Sequence, residues 1–219
     1  MPLIRAPDRS KLSKRHGTTA VVDYKNDYLP EALVNFLGAM SYTFSKELLT
    51  KEEMVEEFEL AKVHKSGAVF NVEKLNWFNS EYIKKLSPEE FKKAIEMPEV
   101  PEKAVPLITE RLEKLSDVGR FAYLWQEPDY PKELLKWKNF SFSDVKNSLE
   151  KTKQVIGSGS LRDKLDELAK ELGDRGLVYW PLRVALTGKD KSPDPVEVFN
   201  VLGKENSLKR IEKAIQKIQ

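Results

Sequence analysis

The chain has 219 residues, of which 40% are hydrophobic and 33% are charged, a composition typical of water-soluble globular proteins. No apolar run approaches the roughly 20 residues that span a bilayer, and no signal-peptide core precedes the first charged residues. The absence of cysteine excludes disulfides and thiolate zinc sites, and two histidines are too few for a zinc cluster. We therefore expect a cytoplasmic protein without membrane contact and without a metal site.

The net charge of +2 is distributed unevenly along the chain. Residues 1–26 carry +4 and residues 183–219 carry +3, which leaves −5 for the residues between them. Two basic ends are compatible with a long anionic ligand that is contacted at two places.

A basic loop lies close to the start of the chain, with the sequence Lys-Leu-Ser-Lys-Arg-His-Gly at residues 11–17. Its two lysines and one arginine can neutralise a polyphosphate, and Gly17 permits a tight backbone turn beside them. A basic run of this size is more often a solvated surface, so phosphate binding depends on what the rest of the chain shows.

Helical periodicity dominates the remainder of the chain. Pro30 suits a first helical turn, and capping boxes at Thr50 with Glu53 and at Ser87 with Glu90 predict two further helix starts. No strand run or hairpin dipeptide is present, so we predict an all-α fold. Apolar residues recur at spacings of three and four at Leu29, Ala32, Leu33, Phe36, Leu37 and Met40; at Leu75, Phe78 and Tyr82; at Leu107, Ile108, Leu112 and Leu115; at Val118, Phe121, Ala122 and Trp125; and at Leu161, Leu165, Leu168 and Leu172.

Three breaks divide this pattern. The prolines of residues 97–101 predict a domain boundary, and Pro128 with Pro131 forms a second break. Residues 157–160 read Gly-Ser-Gly-Ser, which fits either a hinge or a tight turn whose Ser160 caps the next helix. We predict domains at 1–97, 98–156 and 157–219, the last of which holds a short helix over Pro181–Leu186.

Several separated segments together resemble the bacterial-type glutamyl-tRNA synthetases, and the resemblance covers the whole chain. Residues 7–17 resemble the KMSKS loop of that class I family. The other matching segments are Tyr28–Leu37, Ala68–Asn71, Lys74–Asn79, Pro181–Gly188 and Leu202–Glu205.

This resemblance implies an ATP-binding loop that comprises Lys11, Leu12, Ser13, Lys14 and Arg15. It assigns to Lys14 a catalytic role at the β- and γ-phosphates of ATP, which the family uses with Mg²⁺, because a cation there stabilises the departing pyrophosphate. The family also implies a nucleotide-binding catalytic domain with an HIGH-type motif, and these 219 residues contain no His-x-Gly-His. We therefore expect the C-terminal portion of the enzyme, with an N-terminal catalytic domain missing, no bound ATP and no adenylation by this chain alone.

The same resemblance implies tRNA binding by a stem-contact helical region followed by helical-bundle anticodon domains. Arg183 falls at a base-contacting position and Ser192 near another, while Arg111 and Arg120 are weaker tRNA-binding candidates. A guanidinium can stack on an unpaired base and bond its edge or phosphate. We expect the partner to be a glutamate-accepting tRNA and the protein to be a monomer.

Two other interpretations remain open. A stand-alone helical RNA-binding module would bind RNA without any catalytic half. A helical scaffold that binds protein would show no salt-dependent affinity for tRNA. Neither has a use for a loop suited to ATP phosphates.

Overall fold

The computed structural model describes residues 4–13, 15, 20–157 and 159–218. Nearly all of its regular structure is helical, which confirms the all-α prediction. Two strands that the periodicity did not predict, β1 (Ile4–Arg5) and β2 (Ala68–Val69), pair in parallel with Ile4 opposite Ala68. The chain forms two compact units, one of residues 1–98 with 108–120 and the other of residues 99–107 with 121–219.

Three helices of the first unit begin where the local sequence predicts. Pro30 occupies the first turn of its helix, and the capping boxes at Thr50 and Ser87 are both present. Among the described residues, the α-helices that lie wholly within this unit are α1 (Pro30–Ser41), α2 (Lys51–Glu57), α3 (Val72–Ile83) and α4 (Pro88–Ala94).

An aromatic core holds α1 against α3. Phe36 of α1 packs edge-on against Phe70 and Phe78, with ring centroids 5.1 and 6.2 Å apart. The amide of Asn79, fully buried on α3, accepts a hydrogen bond from the Leu29 N–H at the start of α1 (2.9 Å). Because one buried side chain satisfies the first donor of a neighbouring helix, α1 and α3 have a fixed relation.

Residues 108–120 belong to the first unit. The apolar spacing of the sequence predicts helix here, but the structure interrupts it between Thr109 and Leu115. The Leu115 N–H donates to the Asp27 carbonyl (2.9 Å), and the Asn79 amide donates to the Glu113 carbonyl (2.7 Å). These bonds leave the helical path, so the chain forms α5 (Val105–Thr109) and then a separate 3₁₀ helix (Leu115–Leu124).

The second unit surrounds one central helix, α8 (Arg175–Thr187), which packs against α6 (Phe142–Val155), α7 (Leu161–Leu172), α9 (Pro195–Leu202) and α10 (Lys204–Lys217). On α10, Arg210 donates to the carbonyls of Leu186 (2.5 Å) and Tyr123 (2.7 Å) and so holds the last turn of α8. The predicted boundary at residue 157 falls within this unit, and the division into three domains stays a prediction.

The helix that we predicted over residues 181–186 is longer than expected. It begins at Arg175, where Asp174 caps it, and Pro181 lies inside it. Proline lacks the N–H that would bond the carbonyl four residues earlier. The Ser148 hydroxyl supplies the missing donor to that carbonyl, on Leu177, at 2.8 Å. The prediction was wrong because a side chain from α6 satisfies the group that proline leaves free.

Candidate nucleic-acid interface

The start of the basic loop near the N-terminus is fixed by backbone hydrogen bonds. The Arg5 carbonyl accepts from the Phe70 N–H (2.8 Å), and the Leu12 N–H donates to the Ile4 carbonyl (3.2 Å). The Leu12 side chain packs against the aromatic core of the first unit. This part of the loop is therefore held by both backbone pairing and apolar contact.

The charged side chains of the loop that the structure describes are exposed to solvent. Lys11 and Arg15 are exposed, whereas Leu12 and Ser13 are partly buried. Lys14 lies outside the described residues, as do His16 and Gly17. The described loop therefore combines an anchored apolar side and an accessible cationic side.

The structure brings together two of the residues predicted to bind tRNA, Arg183 and Ser192. Arg183 Nη1 donates to the Ser192 carbonyl (2.5 Å), the Ser192 hydroxyl (3.0 Å) and the Pro193 carbonyl (3.2 Å). These three bonds use one terminal nitrogen of a partly exposed guanidinium, so the planar face and the remaining edge keep a defined direction. A preorganised guanidinium of this kind is suited to stacking on an unpaired base.

Two tryptophans to which the sequence assigned no role are fixed at the start of α8. The Trp137 indole donates to Asp174 Oδ1 (3.0 Å), and the Trp180 indole donates to the Leu134 carbonyl (2.8 Å). Their rings lie 5.2 Å apart between centroids. Trp137 packs directly over Gly176, where a Cβ would overlap the indole. A glycine two residues after a helix cap is the sequence signal for such a close approach.

The pKa of the Asp174 carboxyl group is lowered by the hydrogen bonds that it accepts at the start of α8. Burial acts to raise its pKa, but donation by the backbone N–H groups of Leu177 and Gly176 and by the Trp137 indole holds the pKa below the ordinary value. Asp174 is therefore an ionised cap of α8 over the whole neutral range.

Arg111 and Arg120, the weaker candidates, lie in the first unit and are both exposed. The Arg111 backbone N–H donates to the Ile108 carbonyl at the end of α5 (2.9 Å). Arg120 forms a long ion pair with Asp117 (3.6 Å) that leaves its side chain 75% exposed. Their role at the anticodon stays a prediction.

Two negative findings apply to the described residues. No group of three or more His, Asp or Glu side chains among them could hold a metal ion. None of their helices is long and apolar enough to cross a membrane.

Comparison with known proteins identifies the family of the second unit and of much of the first. The family model described as an anticodon binding domain matches residues 59–215. The chain belongs to the anticodon-binding-domain family. Residues 1–77, which include the basic loop, match a second model, described as the catalytic domain of the class I tRNA synthetases (E and Q).

Individual relatives agree with these matches. Glutamate–tRNA ligase 2 of Caldanaerobacter subterraneus is 34% identical over an alignment that covers 100% of this chain and 50% of the relative, and glutamate–tRNA ligase 1 of Fervidobacterium nodosum is 35% identical over 95% and 47%. A crystal structure of a glutamate tRNA ligase from Elizabethkingia meningosepticum superimposes with a TM-score of 0.80 and 29% identity over 99% of this chain and 51% of that one. The chain spans about half the length of these relatives and matches their C-terminal half, so the motif resemblance is confirmed.

Proposed function

We propose that this chain is the tRNA-binding portion of a glutamate–tRNA ligase, an enzyme that attaches glutamate to tRNA with ATP. The observation that carries the proposal is the pairing of Arg183 with the loop at Ser192 inside a unit that matches the anticodon-binding family. Residues 1–97 would contact the tRNA stem, and residues 98–156 and 157–219 would contact the anticodon. The protein would act as a monomer in the cytoplasm.

Arg183 is the side chain to which we assign anticodon contact. Its helix is buried on most sides, and its guanidinium direction is set by three hydrogen bonds to the Ser192 and Pro193 region. Ser192 contributes through the same loop. A guanidinium that is already oriented loses less conformational entropy when it stacks on a base. Arg111 and Arg120 would add further tRNA contacts from the first unit.

The basic loop belongs to the ATP site in this proposal. Lys11 and Arg15 supply exposed positive charge, and Leu12 anchors the loop, which fits a segment that contacts ATP phosphates with Mg²⁺ present. Lys14 would stabilise charge on the departing pyrophosphate. Ser13 completes the set of loop residues that the resemblance assigns to this site.

The test is tRNA binding by the full 219-residue chain. We expect salt-dependent affinity for a glutamate-accepting tRNA and weaker affinity for the same tRNA with a replaced anticodon loop. Arg183→Ala should weaken cognate binding by about 10-fold, since stacking contributes about 1–3 kcal/mol per base, and should change the replaced-loop affinity much less. Equal losses for both RNAs would refute the assignment.

The matched control is Arg175→Ala, on the same helix. Arg175 is exposed, pairs with Asp166 (3.4 Å) and stacks on the Tyr179 ring, so its loss removes the same charge without touching the Ser192 loop. We expect it to leave discrimination between the two RNAs unchanged. If the wild-type chain binds neither RNA in a salt-dependent manner, the protein-scaffold interpretation is favoured instead.

A further inference from the structure

Residues 131–142 carry a cationic surface to which neither the sequence motifs nor the family match assigns a role. Lys132 and Lys136 both lie over the Phe142 ring, with Nζ 5.6 and 5.0 Å from its centroid. Lys138 Nζ lies 5.0 Å from the centroid of Trp137. We call these three lysines and two rings the lysine–aromatic surface.

This surface has little acidic compensation. Neither Lys132 nor Lys136 forms an ion pair with any carboxylate in the described ranges, and Lys138 has only a long contact with Asp174 (3.8 Å). Glu133 is the single acid of residues 131–142, so the segment carries +2. Lys132 and Lys136 are both exposed, and the Phe142 ring that they share has no charge to offset theirs. Exposed cations without a paired carboxylate favour an anionic partner.

The acid nearest in sequence to Phe142 is already engaged. Asp144 accepts from the Ser141 backbone N–H (2.8 Å) and the Ser141 hydroxyl (2.6 Å) in a capping box at the start of α6. These bonds direct its carboxylate to the helix end. Lys132 and Lys136 therefore keep their charge available to a ligand.

The surface is fixed to the helix that carries Arg183. Trp137 packs on Gly176 and bonds Asp174, and its ring contacts Trp180. Positions 176, 180 and 183 follow the i, i+4, i+7 spacing of one helix face and are the partly exposed positions of residues 176–187. From Gly176 to Arg183 the helix rises about 10 Å, roughly the length of three stacked nucleotides.

We propose that Lys132, Lys136 and Lys138 bind backbone phosphates of the RNA strand whose unpaired base contacts Arg183. This inference rests on the proposed function, because it requires the same RNA ligand. The lysines supply sequence-independent affinity, and Arg183 supplies discrimination, as phosphate and base contacts do in general. Trp137 and Trp180 keep the two contacts in one rigid geometry.

The experiment compares salt dependence among variants of the full chain, with a glutamate-accepting tRNA transcript as the probe. For Lys132→Gln with Lys136→Gln, the slope of log affinity against log salt should fall by about 1.5, at about 0.7–0.9 per lost phosphate contact. That change corresponds to about 30-fold weaker binding than wild type at 0.1 M salt. At 1 M salt the variant and the wild type should bind equally. The ratio of cognate to replaced-loop affinity should not change, and arginine at both positions should restore the slope.

The matched control is Lys164→Gln with Lys170→Gln on α7. Neither lysine is ion-paired within the described part of the chain, so the same charge is removed elsewhere in the same unit. Its slope should stay close to that of the wild type. A slope equal to wild type in the Lys132 and Lys136 variant, or an equal loss in the control, would overturn the inference.

Failure of the proposed function gives a different result. In that case the wild-type chain itself shows no salt-dependent tRNA binding, before any variant is compared. Circular dichroism checks that each variant is folded. If the double variant does not fold, the single changes Lys132→Gln and Lys136→Gln are each expected to lower the slope by about half as much, and unchanged slopes in both would refute the contact.

Discussion

The substitution Gly176→Ala tests the close contact between α8 and Trp137, because helix propensity and steric overlap change the free energy of unfolding in opposite directions. In a helix, replacing glycine by alanine normally stabilises by up to about 1 kcal/mol. At this position the added Cβ would overlap Cε2, Nε1 and Cζ2 of the Trp137 indole. Trp137 must therefore move, and the usual sign of the substitution should reverse.

The size of the effect follows from what Trp137 would lose. Its indole donates to the Asp174 carboxylate at 3.0 Å, a bond to a charged group that contributes about 1.5–3 kcal/mol. Its ring contact with Trp180, at 5.2 Å, contributes about 0.5–1.5 kcal/mol more. After subtraction of the helix gain, we expect Gly176→Ala to lower the free energy of unfolding by about 1–3 kcal/mol.

Urea unfolding of the full chain, followed by tryptophan fluorescence, measures this change. Gly119→Ala is the control, because a Cβ built there meets no atom within 4 Å beyond its chain neighbours and its own helix backbone, and it should be neutral or slightly stabilising. In a Trp137→Ala background, Gly176→Ala should become neutral or stabilising. If Gly176→Ala alone is as stable as the wild type, or if its effect survives the loss of Trp137, the steric reasoning is wrong.

Two further predictions concern α6 and its contacts. Ser148→Ala leaves the Leu177 carbonyl without a donor and should cost about 1–3 kcal/mol in thermal unfolding, part of which Pro181→Ala should restore by returning the backbone N–H; no recovery would contradict this account. Hydrogen bonds from Ser141 hold the pKa of Asp144 below its ordinary value of about 3.9, so the stability it adds is present above about pH 4 and is lost as pH falls through the lowered pKa. The urea midpoint of Asp144→Asn should therefore lie below that of the wild type at pH 7 and converge with it in acid, and a pH-independent difference would argue against this role.

The candidate site was predictable only in part. Resemblance alone selected Arg183 and Ser192, and their contact requires the loop after α8 to turn back onto the helix. Lys132 and Lys136 form no recognisable sequence motif. What distinguishes them is that both ammonium groups contact the ring of Phe142, which lies later in the chain. Sequence spacing could not show that two separated lysines meet at the same side chain.

The amino-acid sequence by itself determined the helical class and the starts of the helices that have local capping signals. Capping boxes such as Thr50 with Glu53 join residues three positions apart, so their geometry is local and does not depend on the remainder of the fold. Tertiary structure alone decided that α8 continues through Pro181, because the donor that permits it, Ser148, is 29 residues from Leu177 in sequence. Tertiary structure also decided which surface lies beside the helix of Arg183. Trp137 attaches that surface to α8 by its hydrogen bond to Asp174, and the two residues are 37 positions apart in sequence. Local hydrogen bonds can be read from short spacing, whereas buried donors and packed rings are chosen by the whole chain.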